Sequence, residues 1–151
     1  MSYHDIVNNL FLSQVLNPQT IQGAALNSGN IDTQGAETLA IALLVGNIVD
    51  VLDSTHRIDV KIEHADDDGA GSPGAYAACT DEDVLNFTGL SSGQFLSIDA
   101  AGKEQKRHVI GYRGGKRFVK VTATPVTLTT GGPIAMLAIK GNLNQKPAAN
   151  T

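Results

Sequence analysis

The chain has 151 residues, one cysteine, no tryptophan, 5% aromatic residues and a formal net charge of −4. That length suits one domain able to bury roughly 70% of its unfolded surface without staples. The single cysteine, Cys79, excludes an internal disulfide, the negative total argues against a free DNA binder, and no run approaches the roughly 18 apolar residues of a membrane-spanning helix. The opening MSYHDIVNNLFLSQVL lacks the basic region and small-residue cleavage site of a secretion signal, which predicts a protein made and kept in a cytoplasm.

The charge is divided along the chain. Residues 1–104 hold all 15 acids against three bases (−12), whereas residues 105–151 hold eight bases and no acid (+8). Such polarity favours contact with an acidic surface, or head-to-tail contact between copies. Short runs of Val, Ile, Leu and Thr between 16 glycines predict an all-β, single-domain antiparallel β-sandwich or jelly-roll-like barrel, with an N-terminal arm and one short helix. Residues 1–16 are the arm or a first strand, 17–141 the sandwich, and 142–151 a flexible polar tail.

Residues 5–16 are densely apolar without a clean period, and Asn17-Pro18 is expected to stop them. They read as a first strand or as an arm lying on a neighbouring subunit, with Tyr3, Ile6, Leu10, Phe11 and Leu12 as candidate contacts. Residues 20–25 and 31–33 are short strand candidates around the turn-forming Asn27-Ser28-Gly29-Asn30. ETLAIALLV at 37–45 is read as a buried strand bounded by Gly35 and Gly46. RIDVKIE at 57–63 alternates most cleanly, with Ile58, Val60 and Ile62 inward and Arg57, Asp59, Lys61 and Glu63 toward water. HADDDGAGSPG at 64–74 is predicted to leave the ladder as a surface loop.

Thr80, with Asp83 three residues on and acids between, predicts a short helix over 80–87. Residues 94–98 alternate again, and 103–107 read as a polar edge or turn. In HVIGYRGGKRFVKVTAT at 108–124, the Gly114-Gly115 pair predicts a hairpin with a two-residue type I′ turn, which needs positive φ at both positions. Tyr112 would then face Arg117, Ile110 face Val119 and His108 face Val121, while Phe118 would cover Gly111. Residues 126–128 and 133–139 complete the strands, with Ile134, Met136, Leu137 and Ile139 pointing to burial on both faces.

Little in the sequence carries chemistry. Asp66-Asp67-Asp68-Gly69 invites a calcium reading but lacks the alternate-position acids and terminal Glu of an EF-hand loop, so it reads as a solvated acidic loop. The histidines, His4, His56, His64 and His108, are scattered, and no histidine or CxxC spacing accompanies Cys79 along the chain. There is no GxSxG, P-loop or GxGxxG motif. The expectation is a protein with no catalytic, cofactor-binding or metal-binding residues. Seven of the eleven bases fall between Lys103 and Lys120. They form either a solvated sheet edge or a docking face for an acidic protein, with Arg113, Lys116, Arg117 and Lys120 as candidate contacts. Nucleic acid is disfavoured, because only Tyr112 and Phe118 are interleaved as stacking residues.

Several elements recur together in a familiar order: Leu16-Asn17-Pro18, Ile31-Asp32-Thr33-Gln34-Gly35, Val60-Lys61-Ile62-Glu63 with its acidic loop, the segment Ile110 to Val121, and Thr130-Gly131-Gly132 before a last strand ending at Gly141. In these the chain resembles small virion structural proteins of tailed bacteriophages, of the capsid decoration (cement) type. The resemblance implies a β domain on the outer capsid surface, assembled in the host cytoplasm, commonly a homotrimer. Its partners would be the major capsid protein and itself, with no nucleic acid or membrane, and it would stabilise the expanded head by bridging coat subunits. No catalytic residue transfers. The longer acidic loop at 66–74 departs from that pattern. The alternatives are a head-completion or tail structural protein, or a host-surface or glycan-binding β-sandwich, for which three Tyr, four Phe and no Trp offer few platforms.

Overall fold

A computed structural model describes residues 5–144. The described residues form eleven strands: β1 (Phe11–Ile21), β2 (Leu26–Asn27), β3 (Ile31–Asp32), β4 (Ala36–Val45), β5 (Arg57–Ala65), β6 (Ala77–Ala78), β7 (Val84–Leu85), β8 (Gln94–Ile98), β9 (Arg107–Tyr112), β10 (Phe118–Val126) and β11 (Gly132–Leu143). One antiparallel sheet has the order β1-β11-β4-β9-β7. The other runs β2-β10-β5-β6, with β3 also on β10 and β8 also on β5. This is the expected all-β sandwich.

The alternation read at 57–63 is realised in β5, where Ile58, Val60 and Ile62 are wholly buried. Facing them across the core are Ile41 and Leu43 of β4, Ile110 of β9 and Ile134 and Met136 of β11, all at most 2% exposed. Full burial of such side chains is worth about 1.5–3 kcal/mol each. The strand continues two residues beyond its expected end, because His64 keeps the inward phase and pairs with Val119 while Ala65 pairs with Phe118.

Residues 11–21 take the strand alternative. Pro18 does not stop β1, which lies at the edge of its sheet, where a missing N–H costs no ladder bond. Register shifts between Gln14 and Leu16 and between Leu16 and Gln19 absorb the irregularity. The strand expected at 20–25 is therefore its last turn of chain plus a loop. At the other terminus β11 extends to Leu143, two residues into the expected tail. Tyr3 and most of that tail lie outside the described residues.

The helix expected at 80–87 is a single 3₁₀ turn, Asp81–Asp83. Its N-terminal chemistry is as read: the Asp83 carboxylate accepts hydrogen bonds from the Thr80 N–H (2.9 Å) and hydroxyl (3.0 Å). Val84 and Leu85 then pair with Tyr112 and Gly111 of β9, and that tertiary ladder draws the chain out of helical phase.

The expected hairpin at 108–124 does not form. β9 belongs to one sheet and β10 to the other, so residues 113–117 arch across the sandwich. Neither Gly114 nor Gly115 has the positive φ a type I′ turn requires. Gly114 serves a close approach instead: a Cβ there would stand 2.5 Å from the Tyr112 hydroxyl oxygen. That hydroxyl accepts a hydrogen bond from the Lys116 N–H at 3.1 Å, tying the arch to β9. Phe118 lies opposite Asp32 and Ala65, and Gly111 is covered by Leu85 rather than by Phe118.

Candidate interaction surfaces

Loops 33–35, 66–76 and 113–117 gather at one end of the sandwich, which concentrates charge of both signs there. Arg117 forks onto Asp32, Nη2 to Oδ2 at 2.8 Å and Nε to Oδ1 at 3.0 Å, and also bonds the Asp67 carboxylate. Lys116 Nζ stands 3.2 Å from an Asp66 oxygen, and Lys120 Nζ 3.7 Å from Glu63 and 4.0 Å from the centre of the Tyr76 ring. Arg113 donates from Nε to the Glu82 carbonyl at 2.7 Å. The fork from Arg117 holds Asp32 below the usual carboxylate range, and Arg117 is pushed up in return. All four basic candidates are thus engaged by this chain's own oxygens. For Lys116, Arg117 and Lys120, the charge division seen along the sequence closes within one molecule.

The acidic loop is the counterpart. Asp67 accepts backbone N–H bonds from Gly69 (2.8 Å) and Gly71 (3.0 Å), and Asp68 from Ala70 (2.8 Å) and Ser72 (3.1 Å). Those amides lower the Asp67 pKa, with Arg117 assisting. Two of the three consecutive carboxylates therefore fold back on their own loop.

The two outer faces differ sharply. On the β5 sheet the pairing sets Thr124, Asp59 and Ser97 in one row and Thr122, Lys61 and Gln94 in the next, a polar surface. On the other sheet Leu39, Ile41, Leu43 and Val45 are buried in the core, which sets Ala40, Ala42 and Leu44 on the outer face, where the small Ala42 is covered by its neighbours and Leu44 is exposed. Register extends that face across all five strands: Leu12, Ile139, Ala40, Gly111 and Leu85 form one row, and Gln14, Leu137, Ala42 and Val109 the next. A third row holds Ala135, Leu44 and Arg107, the one charged side chain in the three rows. Leu12, Leu44 and Leu85 remain 48%, 45% and 48% exposed. Leu10 closes over Gly141 at the margin, and Ile6 lies exposed in the turn before β1. The arm candidates Leu10 and Leu12 are therefore part of this apolar face, and Phe11 lies in β1 on its inward side, with Lys140 Nζ 5.5 Å from its ring centre. Burial on both faces of β11, expected from Ile134 to Ile139, holds inward but is only half met outward.

At the opposite end, Val49 and Val51 are 64% and 84% exposed. Asp50 between them accepts hydrogen bonds from Thr129 N–H (2.8 Å), Thr129 hydroxyl (2.6 Å), Thr130 N–H (3.0 Å) and Gly131 N–H (2.6 Å). The loop holds its two valines out on a fixed base.

One grouping has no counterpart in the sequence reading. Cys79 is next to His64 and Asp83, their ligand atoms within 4.8 Å of one another. The residues are 15 and four positions apart in the chain, a spacing with no local motif. Only strand pairing assembles them: His64 is the last but one residue of β5, Cys79 follows β6, and Asp83 closes the turn before β7.

No family model matches this chain, and no curated protein sequence matches it. Among solved structures, a Bacillus endospore appendage, described as a disulfide-linked pilus, aligns over 93% of this chain and 98% of its own at 10% identity and a TM-score of 0.39. The VP2 subviral particle of infectious bursal disease virus aligns over 89% of this chain and 41% of its own at 14% identity and a TM-score of 0.27. Neither score defines a common fold. The architecture, an antiparallel β-sandwich with one polar and one apolar outer face, rests on the strand pairing itself.

Proposed function

We propose that this protein is a non-catalytic structural subunit of a tailed-phage virion, a decoration protein that associates with copies of itself and binds the outer capsid. The observation that carries the reading is the apolar outer face spanning β1, β11, β4, β9 and β7. A contiguous apolar sheet face of this kind marks a protein–protein contact. Its rows hold a single charge, so the matching surface is itself apolar, and a second copy of this chain supplies one. The resemblance implies a homotrimer, and in our reading this face is where its copies meet.

The polar sheet and the charged end then face the coat. Contact through Lys116, Arg117 and Lys120 exchanges the chain's own carboxylates, and contact through Arg113 the Glu82 carbonyl, for carboxylates of the major capsid protein, so occupancy depends on salt. A clamp that binds only the expanded lattice stabilises it by mass action, and many copies add through multivalency. No helix among the described residues is long and apolar enough to cross a membrane, and the reading assigns no membrane or nucleic-acid role.

The test is sedimentation of the purified chain beside a Leu44→Glu, Val109→Glu double variant. The expected result is an oligomer for the parent and a folded monomer for the variant. A parent that stays monomeric over the whole concentration range would overturn the assembly reading. Copy number on purified particles separates decoration, with many copies across the shell, from a connector ring at one vertex.

A further inference from the structure

Near the charged end, side chains from both sheets converge between the layers. His64 points inward from β5, and Cys79 comes directly after the neighbouring β6, its N–H donating to the Ile62 carbonyl at 3.2 Å. Asp83 enters from the 3₁₀ turn that leads into the other sheet. His64 and Cys79 are 7% and 2% exposed, while Asp83 reaches the surface. From this geometry we propose that His64, Cys79 and Asp83 form a binding site for one thiophilic divalent cation of the zinc type. An imidazole nitrogen, a thiolate and a carboxylate serve as ligands, with water in the fourth position.

The donor set selects the ion. Mixed nitrogen, sulfur and oxygen ligands suit zinc and its neighbours, whereas calcium and magnesium take oxygen alone. Tetrahedral zinc, with bonds of about 2.0–2.3 Å, holds its ligand atoms roughly 3.3–3.7 Å apart. Atoms already within 4.8 Å need only a small inward adjustment to reach that spacing.

The supporting contacts are in place as well. His64 Nδ1 lies 3.0 Å from the Tyr112 hydroxyl, the kind of partner that fixes a ligand ring when the metal takes the other nitrogen. One Asp83 oxygen is steadied by the Thr80 amide and hydroxyl. Charge also balances: a dication offsets one thiolate and one carboxylate beside a neutral imidazole. Burial pushes the Cys79 thiol up to about 12, so without metal the sulfur is protonated and inert as a nucleophile. Binding breaks the S–H bond, forms a metal–sulfur bond and releases that proton to water. With His64 already neutral and Asp83 already ionised, one proton leaves per ion at neutral pH. The bound ion joins the β5 sheet to the segment entering the other sheet.

Cobalt(II) titration of the full chain tests the site. One equivalent should produce a thiolate-to-cobalt charge-transfer band with the strong visible bands of tetrahedral cobalt, and zinc should then erase both. Zinc at a hundredfold excess over its Kd should raise the folded-to-unfolded ratio about a hundredfold. Cys79→Ala and Asp83→Asn, checked for an unchanged β-sheet circular dichroism spectrum, should lose the stoichiometric bands. Folded parent protein that takes up no cobalt, or visible bands that persist in folded Cys79→Ala, would overturn the proposal. Neither outcome depends on the assembly state, so the site and the virion reading fail separately.

Discussion

Arg117 grips Asp32 through two parallel hydrogen bonds, and the grip joins the end of the 113–117 arch, just before β10, to β3, the strand that pairs with the start of β10. A guanidinium matches a carboxylate in this way and an ammonium does not. Arg117→Lys should therefore lower Tm although it conserves charge, and Asp32→Asn should do the same. Thermal melts at low and high ionic strength check the origin of the effect. The loss should be larger at low salt, and an effect indifferent to salt would count against internal charge closure.

Two residues of β4, three positions apart and on opposite faces, should respond in opposite ways. Ile41 is 1% exposed, and Ile41→Ala should cost about 2–5 kcal/mol in urea unfolding, through lost contacts and the cavity left behind. Leu44 is 45% exposed on the outer face, and Leu44→Lys should change monomer stability by less than about 0.5 kcal/mol. Its effect should appear in self-association instead.

Two glycines with nearly the same backbone separate strain from space. Gly29 has φ +67° with open space around it, so Gly29→Ala should cost about 1 kcal/mol. Gly131 has φ +69°, but a Cβ there would fall 1.7 Å from the Ile21 carbonyl oxygen, and Gly131→Ala should cost well over about 2 kcal/mol. Denaturant unfolding of the pair measures the difference, and equal losses would mean that the Ile21 strand end gives way.

Acid should weaken the fold in two stages. Burial pushes the His64 pKa below its ordinary 6.5; Lys116 acts in the same direction, and Asp83 and Asp66 oppose it. The unfolded chain then takes up that proton first, so stability present at neutral pH is lost as pH falls below about 6.5. A second loss begins near pH 4, because Asp32, Asp67 and Asp99 have pKa values lowered from 3.8 by their partners in the fold. His64→Asn, measured with a chelator present, should flatten the first stage and leave the second.

The parts of the fold that depend on neighbours in sequence were legible. RIDVKIE gave β5 through its period of two, and the alternation at 94–98 matched β8 to the residue. Thr80 and Asp83 announced their turn correctly, but the length of helix after it was decided by pairing with β9. Gly114-Gly115 misled because a glycine pair permits positive φ without requiring it, and the Tyr112 ring explains the small residue at 114 equally well. Basic residues stood out by composition, yet their acidic partners are as much as 85 positions away. The histidine beside Cys79 was invisible for the same reason.

The strand order also constrains synthesis. β11 lies between β1 and β4, so the sheet that contains the earliest strand stays unfinished until residues 132–143 have left the ribosome. Until then β1 and β4 expose unpaired edges and greasy side chains to the cell, and loop closure over more than a hundred residues sets the pace. Overproduction is expected to be limited less by how stable the finished protein is than by how well the nascent polypeptide is shielded while it waits.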